Sequence, residues 1–467
     1  MRSRMAHANG RLSAVKLDLW FLVPGPSGGT ILLGADGGLP TVQVEGSETE
    51  AAVIAVAAFL RDAWGLPAPV LETHPKWKEV GEGEPIPTLV LTEPARAAWT
   101  PPPGLAFAPV PATPGEVPWP IRPRADELLA ELRGNTPPPE LRPRWMRRGW
   151  FDRASTWMRT ASSDAGRPLT GDPRPFFLRG ISALLRAPTD GPDLFLKAVF
   201  PPFHAEPVLT RLLAERFPET VPTVVAVEPD EGWLIVEDIG SAWVGDVPEA
   251  DRPAALARGA RALVAIQRAM APDDGARRTL LDAGAPHRPL ADLVASVAAA
   301  IGPDGFGVGD GGIQPERARR VVEAVGAAVA RVEAVGLPES VVHGDFHSGN
   351  AAIVDDRIVI IDWSDAAISN PAIDLVTWIA WSRDRQAEID AATDAWLDAW
   401  SGAVDGEALR AVVDEVLIVG AAYQIVSYDG IRRNLEPATR YTMTGGGDHF
   451  LKTLEAILDR RNAVAEP

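Results

Sequence analysis

The sequence predicts an α+β chain in which a small β-rich lobe precedes a larger helical lobe, with a small α/β domain in front of both. Short apolar runs separated by turn residues fill the stretch from "PFFLRG" to "GWLIVEDIG", whereas helical periodicity dominates beyond Asp251. A third observation is the proline-rich stretch Pro101–Pro120, followed by "NTPPPE" at 135–140, which marks a connection between the front domain and the lobes. The expected domains are 1–128, then 129–240 (the small lobe with its leading linker and helix), then 241–467. A chain of 467 residues exceeds one ordinary core, in keeping with that division.

Residues 17–35 gather apolar side chains around "GPSGG" and predict a hairpin; 48–64 predict a helix stopped by Gly65; 88–93 predict a strand. "ADELLAELRG" is a short helix within the connection. From residue 144 the character changes. "RWMRRGWFDRASTWMRTA" predicts a helix, and "PFFLRGISALLRAP" and "LFLKAVF" predict two strands around the turn "TDGPD". "FHAEPVLTRLLAERFP" is an amphipathic helix, followed by strands in "TVVAVE" and "GWLIVEDIG". Helices are then expected at 252–271, 289–301, 315–335, 386–400, 406–432 and 448–463.

Composition excludes several classes. With 46% hydrophobic and 23% charged residues, the chain has the content of a folded protein. The absence of cysteine removes disulfides, thiolate metal sites and a catalytic thiol together, and fits a reducing cytoplasm, the expected location. The apolar stretch near the start is short and interrupted by Asp18, so it reads as neither a signal peptide nor a membrane span. A net charge of −18 argues against a nucleic-acid partner. It favours a cationic small molecule only weakly, since an acidic surface also serves solubility. Of the 45 basic residues only five are lysines, and Lys197 in "DLFLKAVF" lies inside an apolar run.

The polar interruption of the helical half is the informative stretch. "VVHGDFHSGN", residues 341–350, places two of the seven histidines with Asp345 and Asn350 between a valine pair and the apolar run "RIVIIDW". Asp345 and Asn350 offer oxygen donors from one loop. Asp362 offers another 17 residues after Asp345, the separation of a hairpin with strands "AAIV" and "IVII". Hard oxygen donors from neighbouring loop ends suit magnesium, which keeps waters and shares substrate phosphates. Phosphoryl transfer requires a metal to screen phosphate charge, a carboxylate to orient and deprotonate the acceptor hydroxyl, and a cation on the phosphates. Each piece alone is an ordinary turn or cap. The ordered set, preceded by a lysine on a strand and a glutamate on a helix, is specific.

"HGDFHSGN" with "IDWSDAAISNPAIDL" resembles the phosphotransferase motif of the aminoglycoside phosphotransferase and choline kinase family, over about residues 144–467. The resemblance implies a protein-kinase-like two-lobed fold and an ATP- and magnesium-dependent kinase. It implies that Asp345 is the catalytic base and that Asn350 and Asp362 hold magnesium. Lys197 would contact the nucleotide phosphates, steadied by an ion pair with Glu206. The segment "VEDI", Val236–Ile239 with Glu237 and Ile239, would be the hinge that receives adenine through backbone groups. His343 would brace the loop and Asp374 would be a structural acid.

This sequence departs from the family pattern at the phosphate-covering loop. "RGISALL" at 179–185 offers only Gly180 and Ser182, which leaves Ser182 as the candidate phosphate contact. The formal G-x-G-x-x-G at Gly307–Gly312 follows a helix and leads to Pro315, so it does not read as a nucleotide loop. Tyr423, Tyr428 and Tyr441 fall where the family builds its acceptor pocket, although helix packing explains them more simply. "GLPTVQVEGSETEAAVIAVAAFLRDAWGLPAPVLET" faintly resembles a Nudix box, but its helix reads Ala58, Phe59, Asp62 and Ala63 where magnesium-binding glutamates are needed. A degenerate Nudix-like module and an unrelated α+β domain both fit.

The function expected is transfer of the ATP γ-phosphoryl group to a hydroxyl of a small molecule, without nucleic-acid or membrane partners. The alternative is a catalytically weak pseudokinase or nucleotide-binding regulator. A protein kinase is disfavoured, because "IDWSDAAISNPAIDL" runs from the metal acid straight to the next helix with no activation loop.

Overall fold

Leu17, Leu19 and Phe21 alternate along one strand and are all buried, which is how a strand covers one face. The computed structural model describes residues 14–47, 52–75, 84–134, 136–309 and 311–465. They divide into two units. One holds the described residues up to Phe200 together with Glu436–Thr439; the other runs Pro201–Leu435 and resumes at Arg440.

In the amino-terminal unit the elements are β1 (Ala14–Leu22), β2 (Thr30–Gly34), β3 (Thr41–Ser47), α1 (Ala52–Asp62), β4 (Val70–Pro75), β5 (Ile86–Thr92), β6 (Leu105–Pro109), α2 (Arg122–Gly134), α3 (Trp150–Asp164), β7 (Arg174–Leu178), β8 (Ser182–Ala187) and β9 (Leu194–Val199). A mixed sheet has the order β3-β1-β5-β4, with β1 and β5 parallel. Val53, Val56 and Leu60 of α1 pack into its core. The hairpin expected at 17–35 forms at its tip, where Pro24 pairs antiparallel with Ile31 and the Leu32 N–H donates to the Val23 carbonyl at 2.9 Å, but the ladder of β2 is with β6 and not with β1. Both edges of β1 are already taken by β3 and β5. The proline-rich stretch is not a free connection either. Val110, Val117, Ile121, Leu128 and Leu129 are buried in one cluster with Leu22 and Leu89. The run read as one strand over "PFFLRGISALLRAP" is two, β7 and β8, joined by a tight turn in which the Arg179 N–H donates to the Ser182 carbonyl.

The carboxy-terminal unit contains α4 (Glu206–Arg216), β10 (Val224–Glu228), β11 (Trp233–Glu237), α5 (Arg252–Met270), α6 (Asp274–Asp282), β12 (His287–Arg288), α7 (Leu290–Ile301), α8 (Pro315–Val335), β13 (Ser340–Val342), β14 (Ala351–Val354), β15 (Arg357–Ile360), β16 (Ala367–Ser369), α9 (Asp374–Ala380), α10 (Gln386–Trp400), α11 (Gly406–Arg410), α12 (Val413–Asn434) and α13 (Gly446–Ala465). The helical stretch expected at 406–432 breaks into α11 and α12. The sequence reading missed α6; Asp273 caps it by accepting from the Ala276 N–H. Buried on nearly all sides, α12 packs against α7, α8, α9 and α13. Two small β pieces interrupt the helices: the sheet β12-β16-β13 and the hairpin β14-β15. Among the described residues no helix is long and apolar enough to cross a membrane.

Candidate active site

Buried Val341 and Val342 in β13 lead the chain into the loop that holds Asp345. Gly344 there has φ +80, and a Cβ would run into the Asp365 carbonyl, so only glycine fits. Phe346 stacks on Trp378 of α9 with ring centroids 4.0 Å apart. Trp378 is fixed in turn by donating to the Leu256 carbonyl at 3.0 Å, and Gly259 leaves room for its ring.

Three donors converge on fully buried Asp374. Its carboxylate accepts from the N–H groups of His343 at 2.9 Å and Gly344 at 2.8 Å, and from the Gln267 amide at 2.8 Å. Burial nevertheless pushes its pKa up to about 7. His343 is fully buried; its Nε2 lies 2.9 Å from the Ile361 carbonyl, and its Nδ1 accepts from the Asp345 N–H at 3.3 Å. With Nδ1 accepting from the loop, Nε2 is the nitrogen that donates to the Ile361 carbonyl, and the ring ties the loop to the hairpin. Gln424 of α12 donates to the Gly344 carbonyl. With its backbone held, Asp345 keeps its side chain 45% exposed, and His347 Nε2 lies 3.7 Å from Asp345 Oδ2.

The hairpin closes as the spacing required. Val354 pairs with Arg357 across Asp355–Asp356, whose φ values of 47 and 62 are those of a two-residue type I′ turn. The register continues past the strands, with the Ile361 N–H donating to the Asn350 carbonyl at 2.9 Å. Asn350 and Asp362 therefore emerge at the same open end. Asn350 donates its amide N–H to the Asp345 carbonyl at 2.9 Å, and its buried Oδ1 has no hydrogen-bond partner. Asp362 has φ +64, a left-handed backbone that non-glycine residues adopt at a cost and that gathers at functional sites. The Ser364 hydroxyl sits 2.7 Å from Asp362 Oδ1 and 2.8 Å from Oε2 of buried Glu206. It has one proton to offer, so it satisfies one carboxylate at a time.

Asp345, Asn350, Asp362 and Glu206 are thus gathered within the carboxy-terminal unit. Glu237 ends β11, and Ile239 packs on Trp243, Ala352, Val359 and Ile361 beside the hairpin. Lys197 and Ser182 belong to the amino-terminal unit. Lys197 is only 4% exposed on β9 opposite Leu184, and Ser182 opens β8 opposite Val199, which puts the two on the same face one diagonal apart. Tyr423 is a buried core residue whose hydroxyl accepts from Arg288 at 3.1 Å. Four contributors were missed in the sequence: Ser364, Gln267, Gln424 and Ser427, which donates to Asp365 at 2.9 Å. A signal existed for two of them, since Gln424 and Ser427 are polar residues three apart in the otherwise apolar run "VLIVGAAYQIVSY".

Among the described residues no three histidine, aspartate or glutamate side chains form a metal site by themselves. An unpartnered buried amide oxygen beside an aspartate does fit a hard cation whose remaining ligands are water and phosphate oxygens.

Residues 176–411 match the profile of the phosphotransferase enzyme family, so the chain belongs to that family and is a small-molecule kinase. Among solved structures it is similar to a macrolide 2'-phosphotransferase type I at 18% identity, covering 62% of this chain and 96% of that one with a TM-score of 0.41. It is also similar to a choline/ethanolamine kinase family protein from Mesorhizobium loti, at 16% identity over 65% and 99% with a TM-score of 0.43. A third is a thermostable mutant of an aminoglycoside phosphotransferase, in ternary complex with ADP and hygromycin B, at 16% identity over 64% and 98% with a TM-score of 0.40. No curated protein matches the chain.

Proposed function

We propose that the protein transfers the γ-phosphoryl group of ATP, with magnesium, to a hydroxyl of a small molecule in the cytoplasm. The observation that carries this reading is the unpartnered, buried Oδ1 of Asn350 at the same hairpin end as Asp362. Those two side chains would hold the magnesium, which when bound screens the phosphate charge that builds up in transfer. Asp345, its backbone fixed and its carboxylate exposed, would orient the acceptor hydroxyl and take its proton. Lys197 would supply the positive charge on the phosphates, and Glu206 would steady it. Glu237 and Ile239 would bound the adenine site, with Ser182 as a further phosphate contact. Hydroxylated amines, sugars and aminoglycosides are the acceptor classes to test, cationic ones included.

A second reading, a catalytically weak nucleotide-binding regulator, is favoured by one observation: the turn between β7 and β8 carries a single glycine, Gly180. Screening those acceptors for ADP release, with Asp345→Asn as the control, separates the two. Acceptor-dependent release by the wild type alone supports the kinase. Intact MgATP binding with no release from any class would support the regulator.

A further inference from the structure

The glycine-rich loop after α7 is clamped by α12. The Phe306 N–H donates to Asp429 at 2.6 Å, Arg432 donates to the Phe306 carbonyl at 3.2 Å, and Arg433 donates to the Asp304 carbonyl at 2.8 Å. The half-buried Phe306 ring that results is faced by three guanidiniums: Arg440 at 4.8 Å, Arg433 at 5.2 Å and Arg432 at 5.9 Å from its centroid. In a chain of net charge −18, three arginines converge on one ring, with the carboxylates of Asp429 and Asp304 acting on Arg433.

Their charges are answered unequally. Asp429 pairs with Arg433 at 2.8 Å. Arg440 commits its Nε to the Arg432 carbonyl at 3.1 Å, and no carboxylate pairs with it among the described residues. Its planar fork is therefore held in place with its two terminal nitrogens available, which is the geometry that recognises an oxyanion. The cluster also has a fixed relation to the base loop. Gln424, which donates to the Gly344 carbonyl, and Arg432 are eight positions apart on α12 and share one face with Tyr428 between them. Eight residues of helix span roughly 12 Å.

We propose that Arg440, with Arg432 and Arg433 around Phe306, forms an oxyanion subsite that receives a phosphate or carboxylate borne by the acceptor, at the end away from the hydroxyl that is phosphorylated. The proposal rests on the phosphotransferase reading only in calling the ligand the acceptor; the anion site itself does not depend on it. An acceptor of this kind is longer than a simple amino alcohol and carries its negative charge on the side opposite the reacting group.

The test is a thermal-shift titration of the full chain with inorganic phosphate and, separately, with succinate, at constant ionic strength and with MgADP saturating the nucleotide site. The wild type should be stabilised saturably by at least one of the two anions, and which one does so distinguishes a phosphate from a carboxylate. Arg440→Ala should weaken half-saturation by about tenfold, the scale of one charge-assisted pair. Arg440→Gln, which keeps an N–H for the Arg432 carbonyl, should do the same while folding normally. Stabilisation by neither anion, or equal stabilisation of wild type and both variants, would overturn the proposal. MgADP binding is read in the same experiment: its failure would count against the phosphotransferase reading, while dependence on Arg440 would still establish the anion site.

Discussion

Asn350, at the open end of the hairpin, donates its side-chain N–H to the Asp345 carbonyl at 2.9 Å and leaves its buried Oδ1 without a partner. One residue thereby fixes the loop that carries Asp345 and, in the proposed reading, would present a ligand to the cation. Asn350→Ala should lose both functions, and Asp362→Asn only the second. Calorimetry with MgATP and with metal-free ATP checks this: Asp362→Asn should lower MgATP affinity at least about tenfold and leave metal-free binding alone. Equal MgATP affinity in wild type and Asp362→Asn would refute the metal assignment.

Asp345 itself should matter to turnover far more than to nucleotide binding, since phosphoryl transfer is mostly positioning and charge stabilisation. Asp345→Asn is expected to keep MgATP affinity within a few-fold and to lose about a hundredfold or more in kcat, the usual scale for a general base. Steady-state kinetics on an acceptor found by ADP release is the measurement, and near-normal turnover would remove the base assignment.

Lys197 is 4% exposed, so its ammonium occupies a space already shaped by neighbours. Lys197→Arg conserves charge but substitutes a planar fork for a compact, strongly hydrated point charge, and it should not restore activity. Full activity in that variant would make Lys197 an ordinary strand residue.

Asp374 predicts a pH dependence. Its folded pKa of about 7 lies above the ordinary carboxyl value of 3.8 because burial disfavours the charge. The folded protein therefore takes up a proton that the unfolded chain releases. The stability this adds is fully present below pH 3.8 and is lost as pH rises through 7. Asp374→Asn should flatten that part of the stability curve, measured by denaturant unfolding between pH 5 and pH 8. Activity has the opposite sense. Protonation removes an acceptor from the His343 and Gly344 N–H groups, so turnover should fall below pH 7 in the wild type. A stability difference between wild type and Asp374→Asn that does not change with pH would contradict this account.

Glu436 lies between two buried arginines, bidentate to Arg142 at 2.7 and 2.8 Å and 3.1 Å from Arg124, which also holds Glu72. Glu436→Gln preserves the shape and removes the charge, leaving Arg124 and Arg142 under-compensated. The expected loss is about 3–5 kcal/mol in urea unfolding of the full chain, as for other broken buried pairs. A loss below about 1 kcal/mol would mean that Glu72 and Glu131 suffice.

The linear sequence determined whatever depends on spacing between near neighbours. Asp345, Asn350 and Asp362 were legible together because a two-residue turn fixes the register of a short hairpin, and "DDR" supplies residues that tolerate φ above zero. Most helices of the second half followed from apolar periodicity, though α6 did not and the stretch 406–432 proved to be two helices, and Lys197 stood out because lysine is scarce in this chain. Tertiary structure alone decided which distant residues meet. Ser364 bridges Asp362 to Glu206, 158 positions away, and Asp374 reaches back 31 positions to the His343 N–H. Arg124 and Glu436 pair across 312 positions. It also decided that β2 leaves β1 for β6 and that the proline-rich stretch enters a core. The reason is physical: periodicity and turn chemistry are written in a few consecutive residues. Buried polar groups must instead find partners wherever packing brings them, and that is settled only when the whole chain has closed around them.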